Sequence, residues 1–310
     1  MSWGYIIKRI LLLLPPLIAV TIISFLMIHL IPGDPARHIL GDFATEEQLQ
    51  ALRHALGLDQ PIYIQYFHWM TNIFHGRLGT SMTTNIPVSD LIAGRMIATL
   101  QLTISSWILA IVIGLLLGIT AAVHMHSPFD YASMFTAVFF MSMPYFWFGL
   151  MLMLIFGVWL GILPVSGSGG WKNLIMPVIT LGLPQIALLA RLARSSMLDV
   201  LEKDYIGTAR AKGLPSRLIN YKHALRNALI PITTILFLQI PWLFGGAVVT
   251  ETVFAWPGMG RLLVTSVFNR DYPVIQAIIL IIGIMTVISN FLADIVYGFI
   301  DPRTRHGEIK

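Results

Sequence analysis

Serine hydroxyls, histidines, carboxylates and side-chain amides are the groups that could do chemistry in or beside the long apolar runs of this 310-residue chain. Covalent catalysis requires a nucleophile with a base close to it. Five serines lie in the apolar runs without a matching His or Asp motif: Ser24, Ser105, Ser106, Ser142 and Ser289. The chain also has no cysteine and therefore no thiol nucleophile or thiolate metal site. We expect that it is not an enzyme.

The histidines raise the question of a metal site, because imidazole suits Ni²⁺ and related ions. His29 stands alone near the end of the first apolar run, and no H-E-x-x-H motif occurs. His124 and His126 are two residues apart, a spacing that does not place them on one helix face. We therefore predict no metal ligand in this chain.

Carboxylates and amides within apolar runs could line a path for a polar substrate or simply join helices. Glu251 and Asp294 each lie near one end of an apolar run, where water could reach them. This position favours a structural or interfacial role for both acids, while contact with a transport path stays open. The candidate path residues are Gln101, Gln185, Gln239, Glu251 and Asn290.

Composition identifies the elements that must position these groups as membrane helices. Residues are 56% hydrophobic and only 11% charged, whereas soluble domains carry about 25% charged residues. A helix needs about 20 apolar residues to cross a bilayer, and the continuous runs lack the alternation of a barrel strand. The sequence predicts an all-α polytopic protein with six transmembrane helices: Ile10–Ile31, Thr99–Val123, Met134–Leu163, Leu174–Ala190, Ala228–Thr250 and Val274–Ala293.

The basic residues indicate the orientation of these helices. Eight Lys and Arg lie between Arg191 and Arg226, and the short loops on the opposite side carry few. By the positive-inside rule both termini face the cytoplasm and segment 32–98 lies outside. The formal charge of +5 mostly flanks the apolar runs, so nucleic-acid binding is not expected. The first run is too long for an ordinary signal peptide and should stay as an anchor.

Prolines and glycines interrupt several of the predicted spans. A proline inside a helix removes a backbone hydrogen bond and bends the helix. Such bends can simply shape the bundle, or they can act as hinges of a moving path, and the sequence leaves both open. The positions are Pro15, Pro16, Pro144, Pro177, Pro184, Pro231, Pro241 and the pair Gly245–Gly246.

Two amphipathic helices are predicted in the outside segment 32–98. The first begins with a capping box at Thr45 and Gln48 and ends at Gly57, and its apolar face consists of Leu49, Leu52 and Leu56. The second has an apolar stripe of Ile62, Tyr66, Trp69 and Ile73. Its aromatic side chains could form an interfacial belt or a docking surface for an external partner.

The basic cytoplasmic loop has the pattern of two separately capped helices. Asp204 can cap a helix over Tyr205–Lys212, and Gly213 followed by Pro215 would end it. A second helix should begin at Ser216, with a shared face formed by Leu218, Tyr221 and Leu225. We expect this loop to dock into another protein. A solvated loop on anionic lipid headgroups is the alternative.

Six segments of the chain together resemble the B-type permease subunits of peptide/nickel ABC importers. They follow one another from the first span nearly to the C-terminus: Ile31–Pro35, Leu56–Pro61, Asp204–Gly213, His223–Pro231, Phe254–Arg261 and Arg270–Gln276. The resemblance implies a MetI-like importer permease fold and transport by alternating access. It implies short peptides as cargo, with nickel, a nickel chelate or glutathione as alternatives.

The resemblance also implies that the cytoplasmic loop carries the importer Glu-Ala-Ala-x-x-x-Gly motif, whose helix inserts into an ATPase subunit. Its glycine corresponds to Gly213 and its second alanine to Ala209, while Gly207 and Thr208 occupy the first two positions. The motif glutamate is therefore absent. The implied ATPase-coupling residues are Asp204, Thr208, Ala209, Arg210, Ala211, Lys212 and Gly213.

The partners implied by the resemblance are a second homologous permease, two cytosolic ATPases and an extracytoplasmic solute-binding protein. The chain has no G-x-x-x-x-G-K-[ST] phosphate loop, so ATP and Mg²⁺ are expected in the ATPases and no cofactor on this chain. The expected location is the bacterial inner membrane. The rival function is a stand-alone channel.

The expected organisation is a first span in 1–31, an outside segment in 32–98, a permease core in 99–300 and a cytoplasmic tail in 301–310. The coupling loop occupies 191–227 of the core.

Overall fold

The computed structural model describes residues 9, 11–30, 35–40, 43–55 and 57–300. Within these ranges the chain is helical with short connections, and an isolated bridge between Thr80 and Pro87 is the one extended pairing. The predicted all-α class is confirmed. The side chains of His29, Leu52 and Leu56 and the tail 301–310 lie outside what the structure describes, so the predictions made for them cannot be compared with it.

Thirteen helical segments make up the described part of the chain. Their bounds are α1 Leu14–Leu30, α2 Pro35–Leu40, α3 Glu46–Ala55, α4 Ile62–Phe74, α5 Val88–Val123, α6 Pro128–Ser142, α7 Tyr145–Trp159, α8 Trp171–Leu201, α9 Asp204–Ala211, α10 Ser216–Leu238, α11 Ile240–Val253, α12 Met259–Phe268 and α13 Tyr272–Ile300. Two of them contain π-helical turns, α7 over Met153–Trp159 and α10 over Ile219–Ala224.

By length and composition, three described helices can each cross a membrane: α5, α8 and α13. The pairs α6–α7 and α10–α11 reach the same length only when each bent pair is taken as one span, which gives five. The remaining predicted run, Ile10–Ile31, corresponds to α1, an apolar helix of 17 residues. Every predicted run therefore coincides with helical structure.

Two helices extend well beyond the predicted spans. Helix α5 begins at Val88, inside the segment that was expected to lie outside as residues 32–98. Helix α8 continues past Ala190 to Leu201, so Arg191 and Arg194 belong to a helix and not to a loop. Charge-free runs underestimate helix length here because a helix can continue beyond its apolar part when its polar side chains find partners.

The third predicted span, Met134–Leu163, is not one continuous helix. It is divided into α6 and α7, which meet at an angle of 102° next to Pro144. Met143 has an extended backbone, as expected for the residue before a proline. A smaller bend of 47° separates α10 from α11 at Gln239, two residues before Pro241. By contrast, the prolines of α8 and Pro231 lie inside helices that continue.

Helices α5 and α8 form the central pair of the bundle. A Cβ atom at Gly114 would lie 2.8 Å from the Cβ of Leu189, and one at Gly118 would overlap the carbonyl oxygen of Ala190. The absence of side chains at these positions lets the two backbones approach, as small residues do in membrane bundles. Buried side chains of α10 complete this part of the core, among them Ile232.

The segment before α5 confirms two local predictions. The Thr45 backbone N–H donates to Gln48 Oε1 over 3.0 Å, and the Gln48 N–H donates to Thr45 Oγ1 over 3.4 Å, which forms the predicted capping box. Gly57 has a left-handed backbone with φ +67°. The aromatic stripe of α4 contacts α1: the Tyr66 hydroxyl lies 2.8 Å from Thr21 Oγ1, and the Tyr66 ring packs edge-on against Phe25. Tyr66 and Trp69 thus pack against Phe25 of α1, whereas Tyr63, Phe67 and Phe74 of the same helix are exposed.

Candidate functional site

Helix α9, the predicted coupling helix, packs on the bundle mainly through one buried apolar side chain. Ile206 is fully buried against the last turn of α5, the end of α8 and the start of α10, where it contacts Ala122, Met197 and Ile219. A rigid displacement of α9 would therefore act on three other helices through Ile206. Ile206 is not among the predicted coupling residues, although an apolar side chain within a polar segment is a usable signal for such a contact.

The end of α9 has the predicted glycine geometry. Gly213 has φ +74°, its N–H donates to the Arg210 carbonyl over 2.9 Å, and the Leu214 N–H donates to the Ala209 carbonyl over 3.3 Å. These two bonds form a Schellman motif, which requires a left-handed residue at the position of Gly213. The predicted start is wrong by one residue. Asp204 is the first residue of the helix, and no side chain caps it.

Most of the other candidate coupling residues face away from the bundle. Ala209 is half-buried, whereas the remaining six, from Asp204 to Gly213, are exposed. A second attachment comes from Tyr205, whose hydroxyl accepts a hydrogen bond from Asn227 Nδ2 over 2.9 Å. The helix is thus fixed on one side by Ile206 and Tyr205 and presents its polar side outward.

The helix after α9 begins at Ser216, as predicted, but its predicted face is wrong. Tyr221 is exposed, whereas the buried positions of this region are Ile219, Ala224 and Ala228. The π-helical turn over Ile219–Ala224 adds one residue to the turn. The spacing of 3.6 residues on which the prediction relied therefore fails at this point.

A cleft of about 520 Å³ lies beside α9. Its walls come from the ends of α5 and α8 and from the first turns of α10, with both apolar and polar side chains. Arg210 and Glu202 are its charged members. We call this end of the molecule the Gly213 end.

At the opposite end of the bundle, which we call the Glu251 end, Glu251 is completely buried. Its Oε1 accepts a hydrogen bond of 2.6 Å from the Thr99 hydroxyl, and its Oε2 accepts one of 3.0 Å from the Arg261 backbone N–H. The Thr99 hydroxyl oxygen in turn accepts from the Met259 N–H over 2.8 Å. The expectation that water reaches Glu251 is wrong, because the chain after α11 folds back over it.

That fold-back is the turn between α11 and α12. A Cβ atom at Gly258 would overlap the Glu251 carboxylate, so glycine is required there for close approach. The Trp256 indole N–H donates to the Ala98 carbonyl over 2.9 Å, and Arg261 Nη1 donates to the Ala255 carbonyl over 2.8 Å. The segment Ala255–Arg261 is thereby fixed against the start of the membrane part of α5.

A second buried carboxylate at the Glu251 end fixes the loop before α5. Asp271 accepts hydrogen bonds from the Ser81 hydroxyl over 2.5 Å and from the Met82 N–H over 3.1 Å. The Thr84 hydroxyl donates to Ser81 Oγ. This network joins the loop before α5 to the start of α13, two parts of the chain that are about 190 residues apart in sequence.

At the Gly213 end, an ion pair joins α6 to α8. Arg194 Nε and Nη2 donate to the two oxygens of Asp130 over 2.5 and 2.7 Å, and the His126 N–H donates to the same carboxylate over 3.0 Å. Asp130 is only 1% exposed. This pair was not predicted, because the sequence places Arg194 in the basic loop and gives no sign of which residue it meets. The sequence Ser127-Pro-x-Asp130 was the available signal, since Ser127 caps α6 at the Asp130 N–H.

The five candidate path residues are dispersed over several helices. Among the described contacts, no hydrogen bond joins any two of them. Gln185 and Glu251 are buried, Gln239 is half-buried at the bend between α10 and α11, and Gln101 and Asn290 are exposed. Asp294 pairs with Arg9 over 2.6 Å. Its side chain is 46% exposed, which agrees with its predicted position near water.

No group of three His, Asp or Glu side chains that could hold a metal ion is present in the described part of the chain. His124 and His126 make separate contacts: the His124 ring faces the Thr120 carbonyl, and the His126 ring faces the Tyr131 hydroxyl.

Family models match almost the whole chain. Residues 114–306 match the binding-protein-dependent transport system inner membrane component, and residues 3–103 match the N-terminal part of such a membrane component. The chain belongs to this family and is a permease subunit of an ABC importer in the inner membrane.

Individual relatives and solved structures agree with this assignment. The chain is 46% identical over 303 residues to the glutathione transport system permease protein GsiC of Salmonella choleraesuis (strain SC-B67) and of Escherichia coli (strain K12), covering 98% of this chain and 99% of each relative.

Two solved transporters share the fold. Inward facing conformations of the MetNI methionine ABC transporter match at 19% identity with a TM-score of 0.59, over 68% of this chain and 96% of that one. An amino acid ABC transporter with histidines matches at 18% identity with a TM-score of 0.52, over 67% of this chain and 94% of that one. The predicted MetI-like fold is confirmed.

Proposed function

We propose that this chain forms one half of the path through which an ABC importer takes up short peptides, with glutathione as the first cargo to test. The observation that carries the cargo is the 46% identity to permeases named for glutathione transport, which extends over 98% of this chain. Glutathione is itself a tripeptide, so the general and the particular cargo are compatible. A binding protein outside the membrane would deliver it.

ATP would be bound with Mg²⁺ by two partner ATPases, which dock on the exposed side of α9. The arrangement of α9 supports this role, because its polar residues face outward while Ile206 connects it to three helices of the bundle. Rotation of the docked helix would then shift the spans as rigid bodies, as interface-driven transitions do. A second, related permease would complete the path.

The cargo is tested by uptake into proteoliposomes that contain the complete importer. Labelled glutathione, a dipeptide and Ni²⁺ are supplied with the binding protein and ATP. We expect ATP-dependent uptake of glutathione or the dipeptide and none of Ni²⁺. Uptake of Ni²⁺ alone would refute the peptide cargo, and flux through the isolated chain without ATP would refute the importer mechanism in favour of a channel.

Docking is tested by replacing Gly213 with Val. A β-branched residue in the left-handed region costs about 1–3 kcal/mol, so the Schellman end of α9 should open. We expect weaker ATPase association and loss of uptake, with recovery in Gly213→Asn because Asn tolerates this conformation. Gly76→Val is the matched control, since Gly76 has φ +73° and open space around it but belongs to the segment before α5. Equal loss of ATPase association in both Val variants would contradict the docking role.

The proposed orientation places Gly213 and both termini in the cytoplasm. Because the chain has no cysteine, single cysteines at Lys212 and Asn85 can be labelled without background. A membrane-impermeant thiol reagent applied from outside should label Asn85→Cys and spare Lys212→Cys. The reverse pattern would overturn the orientation.

Gln239 is the path candidate with the most suggestive position, because it lies at the 47° bend between α10 and α11. We expect Gln239→Leu to change the rate or the selectivity of uptake while the complex still assembles. Unchanged uptake would remove Gln239 from the path.

A further inference from the structure

A groove of about 510 Å³ lies between α5, α6 and α8, along three of the predicted membrane spans. Its lining is almost entirely apolar and includes Leu117 of α5, Phe129 and Phe140 of α6, and Leu183 and Ala187 of α8. Ser133 and Thr136 supply the only hydroxyls, and that of Thr136 is already bonded to the Ala132 carbonyl. We call this cavity the α5–α6–α8 groove.

The dimensions of the groove limit what can occupy it. On α8 it extends from Ile179 to Ala190, which corresponds to about 16 Å at the rise of an α-helix. The groove is open at its side, where Ala132 and Thr136 of α6 are exposed. A peptide cargo does not fit chemically, because its backbone and charged ends would lack hydrogen-bond partners.

The end of the groove near the Gly213 end has a different chemistry. The lining positions Ala187 and Ala190 are followed one helical turn later by Arg191 and Arg194. Arg194 binds Asp130, the neighbour of the lining residue Phe129, whereas Arg191 is exposed. The apolar groove therefore ends one helical turn before the exposed guanidinium of Arg191, which is suited to bind a phosphate.

We propose that the α5–α6–α8 groove binds one phospholipid of the membrane, with an acyl chain between the three helices and the phosphate on Arg191. A phospholipid has an apolar acyl chain followed by an anionic phosphate. The groove has an apolar lining followed by the Arg191 guanidinium. The phospholipid would fill the space between α6 and α8 where the Asp130–Arg194 pair joins them.

The test is photo-crosslinking of the complete importer in nanodiscs made of phosphatidylethanolamine and phosphatidylglycerol. A trace of phospholipid carries a diazirine on its acyl chain, and labelled peptides are located by mass spectrometry. We expect strong labelling of Phe129 and Leu183, above that of side chains outside the groove such as Phe135 and Val138. Labelling spread evenly over all exposed apolar side chains would mean only general lipid contact and would overturn the site.

Three variants make the test specific. Thr136→Trp fills the groove and should abolish labelling of Leu183, while Val138→Trp adds the same bulk on the same helix at an exposed position that does not line it. Arg191→Gln should weaken lipid binding about fivefold, since one basic residue at an anionic lipid surface contributes about that factor. Equal labelling in the two Trp variants would overturn the proposal. So would protection of Phe129 and Leu183 in the wild type, which would mean that a partner subunit covers the groove.

Discussion

Glu251 and Asp130 are buried carboxylates at opposite ends of the bundle, and they are stabilised in different ways. Glu251 accepts hydrogen bonds from neutral donors, the Thr99 hydroxyl and a backbone N–H. Asp130 is bound by both arms of the Arg194 guanidinium. The Glu251 site therefore depends on shape, because the turn at Gly258 must come close to it, whereas the Asp130 site depends on charge.

This difference suggests different mechanical roles. A turn held by directional hydrogen bonds and close backbone approach is a rigid closure, which suits the Glu251 end. The Asp130–Arg194 pair is also directional, because both arms of the guanidinium bind the carboxylate. It would hold α6 and α8 together if the proposed ATPases displaced α9, which follows α8 directly.

The largest effect is expected from Arg194→Gln, because it leaves Asp130 buried without a cation. Breaking a buried ion pair from one side costs about 3–5 kcal/mol. The thermal transition of the purified complex should fall strongly, and the double variant Asp130→Asn with Arg194→Gln should recover part of the loss. Strictly additive effects of the two changes would show that Asp130 and Arg194 do not stabilise the protein through each other. The contrast between the Asp130 and Glu251 sites would then be wrong.

Gly258→Ala should have the next largest effect, since the new Cβ atom would overlap the Glu251 carboxylate. Overpacking of this kind costs about 1–3 kcal/mol. Gly245→Ala is the control: it lies in α11 with nothing within 4 Å of the added atom, and it should be neutral or slightly stabilising. A normal thermal transition for Gly258→Ala would mean that the turn is not tightly packed.

Thr99→Val sharpens the contrast between the two sites. It removes the hydroxyl that joins Glu251 to the Met259 N–H, which leaves a buried donor unpaired at a cost of about 1–3 kcal/mol. Thr99→Ser keeps the hydroxyl and should restore most of the stability. Failure of Ser to do better than Val would assign the effect to packing and remove the hydrogen-bond argument.

The smallest effect is expected from an exposed pair, His54 and Asp59, which lie 2.7 Å apart. Their hydrogen bond raises the pKa of His54 and lowers the pKa of Asp59. The contact is therefore complete between the ordinary pKa values of Asp and His, and it is lost as pH rises through the raised pKa of His54 or falls through the lowered pKa of Asp59.

His54→Gln should leave the thermal transition of the complex unchanged at pH 7, because exposed pairs contribute little. A drop comparable to that of Arg194→Gln would show that burial is not what separates strong from weak pairs in this chain.

Local patterns predicted their structures well. The capping box at Thr45 and Gln48 and the left-handed Gly213 depend on neighbours within a few positions, and both are present. The Glu251 and Asp130 sites depend on partners as many as 152 and 64 residues away. No pattern in one segment indicates which distant residue will cover it, so Glu251 was placed near water and Asp130 was overlooked.

The sequence by itself determined the membrane class, the positions of the apolar helices, the capping box of α3 and the glycine end of α9, because hydrophobic length and capping chemistry act within a segment. Only the tertiary structure decided the 102° bend between α6 and α7 and the close approach of α5 and α8 at Gly118. It also decided which charges are buried. These features arise when distant segments meet, because a polar group that leaves water must then find its partner there.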